Sequence, residues 1–479
     1  MNSNHRFDRV KSAWLFRALI ALLVFASACS VGPDYKRPPV TTPASYKEAD
    51  PASAAQSIDD IIKTKWWEMF ADAELIALEE QVDLSNQTVA QAEARYRQAR
   101  ALVVSARAAY YPTVILGVGI TREQSSPTVS PGPAKVTAPF TEHTMPVDLS
   151  WEIDVWGRIR RTVESSEANA QASVADLEAA KLSARAQLAQ AYFLLRIVDA
   201  QKQLLDATVV AYQKSLELTT NRYNSGVASR GDVLQAETQL KTTQAQAIDT
   251  GVQRAQLEHA IALLIGKAPA DLSISLAPLK TTPPALPAGV PEEILKRRPD
   301  VAAAERLMAA ANAQIGVAVA AYYPDVAVNT TSGFESSNLA KWFSFMGRFW
   351  SAGLSMTQTL FDGGLRGGQL DQARAAYDAS VASYRQTVLT GYQEVEDNLA
   401  AQRILRNEAS MQDEAVNAAQ QSLAVTMNQY QAGIVSYLNV IVAQTIALSN
   451  QRTAVEILGR RLNASVLLVK ALGGGWKTT

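Results

Sequence analysis

Cysteine is almost missing from this chain. Cys29 is the only one in 479 residues, so no disulfide can form within the chain and no multi-cysteine metal site can be built. The three histidines, His5, His143 and His259, are scattered and give no histidine metal cluster. Charge of one sign is lacking too: 45 Lys+Arg meet 46 Asp+Glu, which leaves no strong field for nucleic acid or an acidic membrane surface. No G-x-x-x-x-G-K-S/T phosphate loop is present, and no Ser/His/Asp or paired-acid spacing stands out from solvated helix charges. Neither an enzyme nor a bound cofactor is expected. The apolar stretch from Ala18 to Ala28 is too short to cross a bilayer as a helix, which takes about 20 residues.

That stretch has another meaning. Arg6, Arg9, Lys11 and Arg17 precede it and the small residues Ala26-Ser27-Ala28 close it, the order of a secretory signal, so residues 1–28 are expected to be a signal peptide. Cys29 follows at once, and the junction resembles a bacterial lipobox, which implies a covalent lipid on Cys29. Ser30 behind it favours the outer membrane by resemblance to lipoprotein sorting. Ala26 stands where lipoboxes usually carry Leu, which leaves an ordinary signal with an incidental cysteine as the alternative. Residues 29–64, Pro-rich and polar as far as Pro51, read as an extended tether.

Beyond the tether the chain is written twice. Tyr110-Tyr111-Pro112 recurs as Tyr322-Tyr323-Pro324, N-R-Y-N-S-G-V-A-S at 221–229 recurs as N-Q-Y-Q-A-G-I-V-S at 428–436, and Gly266 is answered by Gly473. The first copy holds a few extra residues, expected in the loop from Ser125 to Pro139. Within each copy the period changes. Met145, Val147, Leu149, Trp151, Ile153 and Val155 alternate with polar residues and Pro146, and Trp350, Ala352, Leu354 and Met356 do the same in the second copy. Thr113–Thr121 and Val326–Phe334 alternate more weakly. Each segment has about the 10 residues a tilted strand needs to cross a bilayer. A soluble hairpin packed on a core would alternate in the same way. The export signal, one hairpin per repeat, and Trp342, Phe343, Phe345, Phe349 and Trp350 clustered like an interfacial girdle favour the membrane. Four strands cannot close a barrel in lipid, so other chains must supply the rest.

The helices speak to shape. From residue 158 to Tyr223 there is neither proline nor glycine, which predicts roughly 100 Å of helix at 1.5 Å per residue. The helix from Gly231 to Ile265 is about half as long, and the run from Gln87 to Tyr110 supplies the missing length if the two stack end to end. The expected organisation is a first repeat at 65–267 (strand hairpin 113–155, long helix 157–223, helix 231–265), an equatorial linker at 268–299, a second repeat at 300–472 (strand hairpin 325–361, long helix 365–430, helix 438–472) and a tail at 473–479. Trp66–Gln81, the linker and the tail are expected to form a belt around a tunnel.

C-S-V-G-P-D-Y-K-R-P at 29–38, L-K-R-R-P-D-V at 295–301, the two Y-Y-P motifs, L-F-D-G-G at 360–364 and the paired turns occur in one order over the mature chain. In this the chain resembles the TolC-like outer-membrane efflux family, in its lipoprotein branch of NodT and OprM type. The resemblance implies a mainly α fold with transmembrane β: duplicated α-helical hairpins forming a trimeric periplasmic α-barrel, and four strands per chain in a shared 12-stranded outer-membrane β-barrel. It implies a passive efflux duct, partnered as a homotrimer by a periplasmic adaptor (membrane fusion) protein, an inner-membrane transporter of RND type and outer-membrane lipid.

By the same resemblance the two turns lie at a periplasmic tip that gates the duct. Tyr223, Gly226, Arg230 and Asp232 belong to one turn and Tyr430, Gly433, Tyr437 and Asn439 to the other, with Tyr430 and Asp232 as the leading gate candidates. Relatives carry acids where this chain has Asn439 and Val442, and a latching arginine or its acidic substitute where it has Val435. The expected entrance is therefore apolar and aromatic, with Asp232 its main charge.

Overall fold

The computed structural model describes residues 30–49, 65–124, 138–279, 281–284, 286 and 289–476. The signal peptide, Cys29, most of the expected loop insertion and residues 477–479 lie outside them. The chain divides into two units: one of the chain up to Pro38 with Arg97–Ala172 and Glu305–Ser383, the other of Pro39–Tyr96, Ser173–Ala304 and the chain from Tyr384 on.

The described strands all lie in the first unit. β1 (Thr113–Leu116) and β2 (Gly119–Glu123) pair with successive halves of β3 (Phe140–Glu152), and β4 (Asp325–Ser336) and β5 (Arg348–Thr357) complete an antiparallel sheet in the order β1/β2, β3, β4, β5. The first predicted strand is thus two, and the break has a cause. Pro146 in β3 has no N–H to give its neighbour, and opposite it the ladder is reduced to Gly117 N–H donating to the Pro146 carbonyl at 2.9 Å. On the other side Pro146 faces Gly333, where an added Cβ would lie 2.2 Å from the Met145 carbonyl oxygen. Only glycine lets β4 come so close.

Register sorts the side chains. Leu149 pairs with Val114 and Thr330, Val147 with Leu116 and Ser332, and Trp151 with Val328, which in turn pairs with Leu354. One face therefore carries Val114, Leu116, Met145, Val147, Leu149, Trp151, Val328, Phe334, Trp350, Leu354 and Met356. The other carries Asp148, Asn329, Thr331 and Ser351, with Thr331 Oγ1 donating to Asp148 Oδ1 at 2.6 Å. Within the chain the apolar face is bare: Val114 is 61% exposed, Leu354 70% and Trp350 77%. Phe343 and Phe345 are exposed as a girdle requires, but Trp342 is buried. Its ring stacks on Phe343 at 4.9 Å and its Nε1 donates to the Phe334 carbonyl at 3.3 Å, so it braces the loop and does not join a girdle.

Both Y-Y-P motifs are fastened by tryptophans that leave β3. Trp151 Nε1 donates to the Tyr110 carbonyl at 3.0 Å; Trp156 Nε1 donates to the Pro324 carbonyl at 2.9 Å and stacks on Tyr323. The start of the tether is strapped beside them. Val31 N–H donates to the Trp156 carbonyl, Arg161 pairs with Asp34, and Asn312 Nδ2 donates to the Pro33 carbonyl.

The second unit is helical. It holds α1 (Ala73–Ser85), α5 (Pro291–Arg297), α4 (Arg230–Leu264), α8 (Tyr437–Ala471) and parts of α2 (Gln87–Ala108), α3 (Arg158–Asn224), α6 (Pro299–Ala320) and α7 (Leu365–Gln431). Here α2 and α4 meet end to end through Asn86. Its Oδ1 accepts the Thr88 and Val89 N–H groups that open α2, while its Nδ2 donates to the Leu264 carbonyl that ends α4, at 2.7 Å. The second copy makes the joint between α8 and α6 with Arg298, which donates to the Ala471 carbonyl and pairs with Asp300 and Glu394.

The belt segments pack on the middle of α3. Trp66, Trp67 and Phe70 are buried, with Phe70 4.8 Å from Phe193. Asp199, fully buried, accepts from Arg196 Nη1 and Arg254 Nε at 2.8 Å each, and both arginines also hold the linker carbonyls of Ser275 and Ile274. No described helix is long and apolar enough to cross a membrane.

Candidate functional site at the paired helix turns

Two helix pairs turn in the same way. At the end of α3, Gly226 N–H donates to the Tyr223 carbonyl and Val227 N–H to the Arg222 carbonyl; at the end of α7, Gly433 and Ile434 do the same to Tyr430 and Gln429. This 5→2 and 6→1 pair needs a left-handed residue at its centre, and Gly226 and Gly433 supply it with φ of +76° and +80°.

The helices leaving the turns begin differently. Ser229 caps α4 with a complete capping box: its Oγ accepts the Asp232 N–H and Asp232 Oδ2 accepts the Ser229 N–H. Ser436 caps α8 without a side-chain bond, and Asn439 stands where Asp232 stands in the first copy. The charge expected to dominate the entrance is thus half-buried and committed to holding its own helix.

Tyr430 and Tyr437 are 3% and 2% exposed and sit 5.3 Å apart in a core with Ala236 and Val440. Val435 packs partly buried against them. Burial, and after it the neighbouring Tyr430, Tyr212 and Asp232, push the Tyr437 hydroxyl well above the ordinary tyrosine range, so it stays neutral. Tyr430 donates to Thr219 Oγ1 at 3.3 Å, and Gln444 Nε2 to Ser215 Oγ at 3.1 Å. These bonds join α3 of one repeat to α7 and α8 of the other. Tyr223, Arg230, Asn439 and Val442 face outward. The structure therefore brings Tyr430, Val435 and Tyr437 together and leaves Tyr223, Arg230, Asn439 and Val442 apart from them, exposed within the chain.

Sequence reasoning passed over Arg222. Its guanidinium lies 4.8 Å above the Tyr430 ring and Nη1 donates to the Gln431 carbonyl at 2.9 Å. The signal was present: Arg222 and Gln429 occupy equivalent places in the repeat and differ.

The outer membrane efflux protein family matches residues 78–267 and 290–474. The chain is 31% identical over 467 residues to the toluene efflux pump outer membrane protein TtgF of Pseudomonas putida, covering 95% of this chain and 96% of that protein. Its fold is similar to that of the outer-membrane channel OprN, with a TM-score of 0.87, 30% identity, and coverage of 94% of this chain and 100% of the other. The outer membrane protein VceC of Vibrio cholerae follows the same fold, with a TM-score of 0.81, 27% identity, and coverage of 87% and 100%.

Proposed function

The chain belongs to the outer membrane efflux protein family and is an outer-membrane efflux channel, and from that premise we propose that it is the exit duct of a three-part pump. It passively carries what an inner-membrane transporter of RND type and a periplasmic adaptor deliver, and the paired turns are its gated entrance.

The observation that carries this reading is the sheet. Its apolar face is bare, and both edges, β1/β2 on one side and β5 on the other, have unused backbone donors and acceptors within the chain. Open edges are not tolerated in lipid. Copies that pair β5 of one chain with β1/β2 of the next close a ring, and three of them give about 12 strands. The test is the mass of the native complex extracted from outer membranes, read with its conductance in a planar bilayer. A conducting trimer is expected; a monomer without conductance overturns the reading.

A lipid on Cys29 fits the strap that follows it. Val31, two residues past the anchor, is hydrogen-bonded to Trp156 just beyond β3, which keeps the start of the tether beside the sheet. Palmitate labelling of the full chain that persists in Cys29→Ala would refute the anchor.

A further inference from the structure

We propose that Arg222 is the latch that fixes the second helix turn against the first within a single chain. The proposal rests on the reading of the paired turns as the entrance.

Arg222 is placed by its own backbone. Its carbonyl takes the N–H groups of Val227 at 2.8 Å and Ala228 at 3.2 Å, so the residue is part of the first turn and moves with it. Its side chain belongs to the other repeat. Nη1 donates to the Gln431 carbonyl, one of the carbonyls at the end of α7 that have no partner inside the helix, and the guanidinium covers the ring of Tyr430. A Cβ added to Gly433 would lie 3.8 Å from Nη2, which puts the same guanidinium against the second turn itself. One planar cation thus engages the ring, the helix end and the turn.

No other described side chain joins the two turns with a charge. Asp232 is taken by the capping box, and the second turn offers Val435, Asn439 and Val442. The Tyr430–Thr219 and Gln444–Ser215 bonds and the apolar contacts of Tyr437 and Ala236 hold the helices together below the turns, whereas at the turns themselves the register is fixed by a planar charged donor on a fixed carbonyl. Arg222 therefore sets where the second turn stands, and opening the entrance by moving α7 and α8 requires its release. It is a positioning residue, acting through Tyr430 and Gln431.

The test is the conducting fraction of the intact trimer in planar bilayers. R222Q copies the residue the second repeat carries at this place, and Y430L removes the ring as an independent route to the same loss. Each is expected to raise the open-to-closed ratio about tenfold, the scale of a lost cation–π contact with a charged hydrogen bond. Y430F keeps the ring and should rescue most of the closure lost in Y430L. A structural role alone would lower trimer yield and leave the conductance of assembled trimers unchanged, and that result overturns the latch.

The double variant N439D/V442D separates the latch from the entrance. If the turns form the narrow entrance, its new acids confer block by multivalent cations. Block in this variant with unchanged opening in R222Q and Y430L overturns the latch and leaves the entrance standing. Neither block nor changed opening overturns both.

Discussion

Four glycines at repeat-related places offer a quantitative test of where the fold is least forgiving. Gly226 and Gly433 in the turns, and Gly266 and Gly473 after α4 and α8, all have φ between +67° and +92°. Alanine at any of them bears the left-handed penalty of about 1–2 kcal/mol. Their surroundings differ. Within the chain a Cβ on Gly226 meets nothing within 4 Å, whereas on Gly266 it would stand 2.1 Å from the Ser85 carbonyl oxygen and on Gly473 2.1 Å from that of Arg297. Those carbonyls are backbone in the end-to-end helix joints and cannot swing aside. In the first copy, relief means parting Asn86 from the Leu264 carbonyl and Ser85 Oγ from the Ile265 carbonyl, bonds of 2.7 and 2.6 Å. At about 1 kcal/mol each, added to the backbone penalty, Gly266→Ala should cost roughly 3–4 kcal/mol against 1–2 for Gly226→Ala. Thermal unfolding midpoints of the four purified variants give the order directly. Equal losses, or a larger loss in the turns, would refute the claim that the joints are close-packed backbone contacts.

Other consequences can be measured on the same preparation. Asp199→Ala leaves Arg196 and Arg254 facing a buried gap and should cost about 3–5 kcal/mol; the specific sign is faster chymotryptic cleavage within Leu272–Leu279, and unaltered cleavage would count against the clamp. Asn439→Asp should complete the capping box that α8 lacks and add about 0.5–1 kcal/mol, seen as slower amide exchange in the first turn of α8. Burial pushes the Glu79 carboxyl well above the ordinary carboxylate range, against the opposing pull of Arg185, and neither of its oxygens has a hydrogen-bond partner among the described residues. The folded chain then holds a proton that the unfolded chain releases, so stability is full below the usual carboxylate pKa and is lost as pH rises above it. Glu79→Gln should flatten that decline as pH rises above the ordinary carboxylate range, and parallel melting profiles for the two proteins would show that the carboxyl does not titrate in this way.

Much of the helical plan could be read from the sequence because it depends on residues that forbid alternatives. No proline or glycine interrupts 158–224, and the helix stops where Gly226 can turn left-handed. The sheet was legible through alternation, since a period of two fixes which side chains share a face whatever lies beyond them. What escaped were consequences felt by a neighbour. Pro146 could be seen, but its effect falls on Gly117 and Gly333, more than 25 and 180 residues away in sequence. That distance is a matter of topology. Trp342 reads as one more aromatic at a strand entrance until the Phe334 carbonyl is found above its indole. Asp232 reads as a free charge until the Ser229 N–H is found beneath it. In each case the residue type was right and its partner was out of sight.

The two repeats also show which parts of the chain are constrained by shape and which by chemistry. Where both copies must make the same backbone, they keep the same residue: glycine in the turns, glycine at the joints, Y-Y-P before the strands. Where only an interaction is needed, they diverge. Asn86 joins helix to helix in one copy and Arg298 does so in the other; Asp232 completes a capping box with Ser229 and Asn439 completes none with Ser436; Arg222 reaches across the turns and Gln429 does not. A cap present on one side only makes α8 the looser of the two departing helices, and a latch that comes only from the first repeat makes α3 the fixed side. The asymmetry has a direction: if the entrance opens by moving one hairpin, the first turn of α8 is where protection against amide exchange should fall first, and α4 should keep its protection throughout.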